Sequence, residues 1–155
     1  MRENLLELFE YDLWANLQWA EILDTMPDPA KAKKIYKHAL NAQRSWMTIC
    51  LSEEDAGAEI SDDFIAESHR MNKAWVDLIK ICDPIAYASY SRGETFFMQT
   101  IGEIAHHVIN HGTYHRGHLR GLCDAAEFTE FPDTDLIKFY RAKSAAAQNP
   151  SAPAQ

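Results

Sequence analysis

Five of the chain's seven histidines, His106, His107, His111, His115 and His118, fall within thirteen residues, where an even scatter would place fewer than one. Imidazole is a proton carrier near neutral pH and, as the neutral ring, a ligand for transition metals. A helix turns about 100° per residue, so His111 and His115 stand one above the other and can converge on one ion. With Phe97 set at zero, Ile101, Ile104, Val108, Leu119 and Leu122 lie within about 40° of one direction, and His111 and His115 fall at about −40° and 0°. The pair is therefore expected in the middle of the apolar stripe, facing the core. An unpaired polar ring there costs of order 1–3 kcal/mol, and one ion would satisfy both rings.

A third ligand must come from another helix. His38 is the candidate, at about −60° from Ile35 and at the edge of its helix's apolar stripe. Spacing alone leaves two readings open, a metal ligand or a boundary histidine bonded to a backbone carbonyl. His107 and His118 lie toward the stripe edge and read as supporting groups. His69 and His106 point away from their stripes and read as surface residues. Cys82 and Cys123, near helix ends, read as small core residues. Gly112 and Gly117 each cost about 1 kcal/mol relative to alanine inside a helix, which predicts close approach of a neighbouring helix near the site.

The elements that must position these residues are legible from apolar recurrence at three- and four-residue steps. A first helix carries Leu5, Phe9, Leu13, Asn16 or Leu17, Ala20 and Leu23. Pro27 and Pro29 break the chain, and Asp28 is a plausible cap for a second helix bearing Ile35, Ala39, Ala42, Trp46 and Ile49. Residues 53–59, with Gly57, read as a loop, and residues 61–63 start a third helix with the stripe Phe64, Ser68, Met71, Trp75, Leu78 and Cys82. Asp83-Pro84 ends it. Tyr87, Tyr90, Phe96 and Phe97 around Ser91-Arg92-Gly93 suggest a short hairpin or ordered loop. The fourth and longest helix is expected over 97–123, and a short last one from near Pro132-Asp133 through Leu136, Ile137 and Tyr140. The expectation is an all-α four-helix bundle with a short additional C-terminal helix. Residues 1–141 read as one domain and residues 142–155 as a low-complexity tail of Ala, Ser, Gln, Asn and Pro.

Composition bounds the function classes. The chain has 155 residues, 46% apolar and 25% charged, with a formal charge of −8. That balance disfavours a nucleic-acid partner, which needs clustered Lys and Arg. The basic group Lys31, Lys33, Lys34 and Lys37 reads as a solvated face. Three scattered cysteines argue against a disulfide framework, and the first residues show no signal-peptide core, so a cytoplasmic location with no membrane partner is expected. Four tryptophans exceed what one small core usually needs, which suggests a homodimer.

The run His107-Val108-Ile109-Asn110-His111-Gly112-Thr113-Tyr114-His115-Arg116-Gly117 closely resembles the signature helix of the DinB (damage-inducible, YfiT-like) family, a group regarded as metalloenzymes. Tyr11-Asp12-Leu13-Trp14-Ala15-Asn16 and His38-Ala39-Leu40-Asn41-Ala42-Gln43-Arg44-Ser45-Trp46 resemble its supporting segments, and the likeness spans Leu5 to about Tyr140. The resemblance implies a four-helix bundle in which a histidine of the second helix joins the pair on the last long helix, which here selects His38, His111 and His115 as metal ligands. The family often continues Arg-Gly-Gln, whereas this chain has Arg116-Gly117-His118, so no role of that glutamine carries over.

Three neutral imidazoles leave an ion's charge uncompensated and at least one coordination position open, the arrangement of a reactive rather than a sealed site. Imidazole suits zinc, nickel, iron or copper and does not choose among them. The resemblance implies a thiol-dependent S-transferase or isomerase acting on a small-molecule substrate with a low-molecular-weight thiol; activation of water for hydrolysis uses the same open position. No catalytic side chain beyond the ion is assigned. The alternative is a non-catalytic metal-binding or stress-response bundle. A polar or aromatic cavity beside the open position favours the enzyme, and a fourth protein ligand or a closed apolar cap favours binding alone.

Overall fold

A computed structural model describes residues 1–53 and 58–148. Its element order is α1 (Arg2–Ile22), α2 (Pro29–Leu51), α3 (Phe64–Ile81), β1 (Tyr87–Arg92), β2 (Thr95–Thr100), α4 (Ile101–Ala125) and α5 (Leu136–Gln148). The helices start where orphan N–H groups find side-chain acceptors. Asp28 accepts from the Lys31 N–H at 3.0 Å, with Pro29 next to it, and Asp63 accepts from the Ala66 N–H at 3.1 Å. Thr100 and Glu103 form a reciprocal capping box on α4.

That box also explains a boundary. The expected fourth helix began at Phe97, but Phe97 to Thr100 pair with β1 in an antiparallel hairpin, and α4 starts only at Ile101. β1 and β2 turn through Gly93, whose φ of +59° is the left-handed conformation a two-residue hairpin turn asks of its first central residue. At the other end, α5 runs to Gln148, past the expected tail boundary at residue 142. Alanine is the strongest helix former, so the exposed stretch after Lys143 continues the helix without burying anything. Residues 149–155 of the expected tail, and residues 54–57 of the expected loop, lie outside the described residues.

α1 packs on α3 and α4, and α2 packs on α4 and α3, so the four long helices close a ring and α5 docks on α1. Two apolar clusters fill it. One contains Leu5, Phe9, Trp75, Ile79, Ile104 and Val108; the other contains Trp19, Leu23, Leu40, Met71, Leu119 and Cys123. Between them, on α1, α2 and α4, lie the buried polar residues Asp12, Asn16, Gln43 and Arg116. Much of the expected burial holds, at Leu5, Phe9, Asn16 and Leu23 of α1, at Phe64, Ser68, Met71, Trp75 and Leu78 of α3, and at Ile101, Ile104, Val108 and Leu119 of α4, but the polar layer shifts the middle of α1 and most of α2. α1 buries Asp12, Ala15, Asn16 and Trp19 rather than Leu13, Leu17 and Ala20, and α2 buries Ala32, Tyr36, Leu40 and Gln43 rather than Ala42 and Trp46. On α4 the buried stripe passes through Ala105, Val108, Gly112, Arg116 and Leu119. That leaves His111 and His115 half-buried on its flank rather than in its middle.

The glycine expectation divides. A Cβ on Gly112 would stand 2.8 Å from the Asp12 Oδ1, so close approach of α1 explains it; a Cβ on Gly117 would meet nothing within 4 Å. Gly112→Ala is expected to destabilise the protein despite alanine's better helix propensity, because the fully buried carboxylate must move. Gly117→Ala is expected to stabilise by about 0.5–1 kcal/mol. Urea unfolding midpoints of the two variants, shifted in opposite directions, check both.

The four tryptophans all have partners within the chain, Trp75 on Phe9, Trp14 on Phe139, Trp46 on Tyr90, and Trp19 bonded to Thr134, so their number no longer argues for a dimer. No helix among the described residues is long and apolar enough to cross a membrane.

Candidate metal centre

The α2–α4 seam brings together the three histidines named from the sequence. The Nε2 atoms of His111 and His115 are 3.1 Å apart, and the His38 ring centroid lies 5.5 Å from that of His111 and 4.8 Å from that of His115. One ring nitrogen from each residue lies within 4.8 Å of the others. His38 is exposed, and the other two rings are half-buried. Two imidazole nitrogens sharing one ion at bond lengths of about 2.0–2.1 Å stand roughly 2.9–3.4 Å apart for angles between square and tetrahedral. The observed spacing fits. It also lets one neutral ring donate to the other through Nε2, while the His115 Nδ1 stays buried without a partner.

The site favours the neutral rings of His111 and His115. Burial, then repulsion from His111, His38 and His118, lowers the pKa of His115 to about 4. Burial, then His107 and His38, also lowers that of His111. The unfolded chain takes up protons at His115 near its ordinary pKa, while the folded chain refuses them until about pH 4. Stability present above about pH 6.5 is therefore lost as pH falls through this window. Denaturant midpoints of the metal-free protein at several pH values should show that loss, and His115→Ala should flatten it.

The flanking histidines are neighbours rather than hydrogen-bonded supports. His107 lies 5.6 Å from His111 and packs edge-on to Trp46 at 5.1 Å, and His118 lies 5.5 Å from His115, each centroid to centroid. His69 and His106 are exposed, as expected, and His106 turns back to the Gly102 carbonyl at 2.9 Å. Among the described residues, the metal-ligating group contains no fourth histidine, cysteine or carboxylate.

The residue next to His115 carries the network that sequence reading missed. Arg116 donates from Nη1 to Asp12 Oδ1 and to Asn16 Oδ1, both at 2.6 Å, and from Nη2 to Thr113 Oγ1 at 2.9 Å. Asp12 Oδ2 accepts from Asn16 at 3.0 Å and Gln43 at 2.9 Å. Burial opposes the guanidinium's charge, but the Asp12 carboxylate outweighs it and keeps Arg116 ionised. Three helices are thereby pinned in register at the level of the histidines. The available signal was the phase of Asp12, between Phe9 and Ala15–Asn16 on a face that should have been apolar.

A cavity of about 280 Å³, lined by Trp46, Tyr90, Gln99, Glu103, Ile104 and His107, lies one helical turn from the triad; none of the three histidines lines it, and His107, 5.6 Å from His111 between ring centroids, is the link. The Arg92 guanidinium lies 5.6 Å from the Trp46 ring and 5.7 Å from the Tyr90 ring, and the Gln99 Oε1 is covered without a partner. The hairpin thus closes one end of the seam with aromatic and polar groups. The chain is similar to protein DinB of Bacillus subtilis (strain 168). The two are 24% identical over 159 residues, an alignment covering 85% of this chain and 91% of that protein. No family model and no solved structure matches the chain. The similarity runs across most of the chain's length and agrees with the resemblance carried by the signature helix. The three-histidine cluster found here is compatible with a DinB-like, metal-binding protein.

Proposed function

We propose that the chain binds one divalent transition-metal ion through His38, His111 and His115 and is an enzyme that activates a small nucleophile at the position the protein leaves open. A low-molecular-weight thiol is the favoured nucleophile, in an S-transferase or isomerase reaction. The observation that carries the reading is the three-imidazole cluster with no fourth protein ligand among the described residues; an aromatic and polar cavity begins one helical turn away, at His107. When bound, the ion supplies Lewis acidity that lowers the pKa of a coordinated thiol or water. The chain's own groups do the rest. His111 and His115, both disposed to stay neutral, present lone pairs at physiological pH, and His38 would complete the ligand set. Trp46 and Tyr90 offer apolar ring surface to an electrophile, with Arg92 beside both. The thiol comes from outside, since no cysteine stands in the metal-ligating group among the described residues.

Elemental analysis of the native protein is expected to give one equivalent of metal. A panel of small thiols with 1-chloro-2,4-dinitrobenzene, alongside p-nitrophenyl esters, is expected to give turnover that disappears in His115→Ala. One equivalent of metal with no turnover on any thiol or ester would favour the non-catalytic binding bundle. Protein purified without metal, and unable to take it up, would sink both readings.

A further inference from the structure

Across α4 from the histidines lies a second cavity, of about 230 Å³, walled by Tyr11, Trp19, Thr113, Arg116, Gly117 and the segment 132–135. Thr113 and Gly117 each sit about 160° around the helix from His115, so this cavity and the histidine seam occupy opposite flanks. We propose that it is a binding site for a small zwitterion, a free α-amino acid or a compound presenting the same ammonium and carboxylate pair.

The carboxylate end is argued from Arg116. Its side chain is only 5% exposed, and its Nε is covered without a hydrogen-bond partner. Nη1 is fully engaged by Asp12 and Asn16. On a guanidinium the Nε–H shares an edge with Nη2, the edge that binds carboxylates side-on. Here Nη2 faces Thr113, which is a wall of this cavity. A buried donor left without an acceptor is uncommon enough in a folded protein to ask for a partner.

The ammonium end is argued from the mouth. Arg120 and Asp133 both line the cavity, but Arg120 is tied to Asp124 at 2.8 Å and Asp133 to Lys138 at 3.0 Å. Asp135 makes no ion pair among the described residues and is exposed at the rim. One unsatisfied cationic donor inside and one free carboxylate at the mouth match a ligand carrying both signs. A simple anion would bring a second negative charge close to Asp12 with nothing to offset it.

The walls and Gly117 complete the case. The Tyr11 hydroxyl donates to the Thr134 carbonyl at 3.0 Å, with its oxygen still placed to favour the charged Arg116, and the Trp19 N–H donates to the Thr134 hydroxyl at 3.1 Å, which ties the 132–135 segment over the cavity. Gly117 weakens the helix, and no packing requires it, since a Cβ would meet nothing within 4 Å. Gly117 is itself one of the lining residues.

The test follows the Trp19 indole resonance, assigned through Trp19→Phe, while the metal-loaded protein is titrated with alanine, leucine, serine and glutamate. At least one amino acid should shift it with a dissociation constant of about 1 mM or tighter, and its N-acetyl and methyl-ester forms should bind at least ~10-fold more weakly. Asp135→Asn should weaken the amino acid about 10-fold without changing the response to propionate. Gly117→Leu, which extends a side chain from the cavity wall, should abolish the shift while metal content holds and the thermal midpoint does not fall. His115→Ala should bind the amino acid normally, which separates this site from the proposed metal chemistry. Silence of the Trp19 indole across the panel, equal binding of propionate, or a shift that survives Gly117→Leu would each overturn the proposal.

Discussion

Arg116→Met is expected to lower the stability of the protein by about 3–5 kcal/mol, the range seen when one partner of a buried ion pair is removed. The reason lies in what stays behind. Asp12 is 2% exposed, and without the guanidinium it keeps only the amide donors of Asn16 and Gln43, which carry no charge. Total stabilities of domains this size run about 5–15 kcal/mol, so the loss is a large fraction of the whole. Arg116→Lys should recover only part of it, because an ammonium cannot reach Asp12, Asn16 and Thr113 from one planar fork. Removing both charges, as Asp12→Leu with Arg116→Met, should be much milder than either single change, since no buried charge is then left alone. Urea unfolding of the four variants measures this directly. A single-variant loss below about 1 kcal/mol, the scale of an exposed pair, would show that the network does not bear on the fold.

The second large effect concerns the histidines. Loss of a group that merely orients a metal ligand typically costs 10–100-fold in affinity, so deleting a ligand itself should exceed about 100-fold. His111→Ala and His115→Ala are each expected to do so, and His38→Ala likewise, although it sits on a different helix and is exposed. His69→Ala and His106→Ala are expected to leave affinity and the single equivalent unchanged. Competition of each variant against a chromogenic chelator gives the ratios. If His38→Ala bound metal as the unaltered protein does, the site would reduce to a pair on one helix, and the open-position chemistry would lose its geometric basis.

How much was legible in advance differs element by element. The i, i+4 pair of His111 and His115 is a local relation, fixed once that segment is helical, and it reads directly from spacing. Asp28, Asp63 and the Pro-rich break before α2 act within one turn and are equally local. The hairpin signal at Ser91-Arg92-Gly93 was readable too, but not its end. Phe97 and Met98 fit either a strand or the start of α4, and only pairing with Tyr90 and Ser89 chose the strand.

The facing of α3 was legible, but that of α2 and of the middle of α1 was not, because apolar periodicity gives polar residues no weight. A scale that counts Asp12, Asn16, Gln43 and Arg116 as surface-seeking turns α1 and α2 out of phase and places the histidine pair mid-core. Those four side chains are buried because they satisfy one another across three helices, a long-range fact with no trace in any one segment. The same rotation moves His111 and His115 to the seam with α2, where His38 meets them.

The chain's own sequence determined which residue types could bind a metal, their one-turn spacing, and the helices that carry them, since each is settled by contacts within a few residues. Only the tertiary structure decided that His38 joins the pair, that Arg116 is buried against Asp12, and that cavities flank α4 on both sides. Those outcomes depend on which helices pack together and at what rotation, and that choice is made by side chains about a hundred residues apart acting at once.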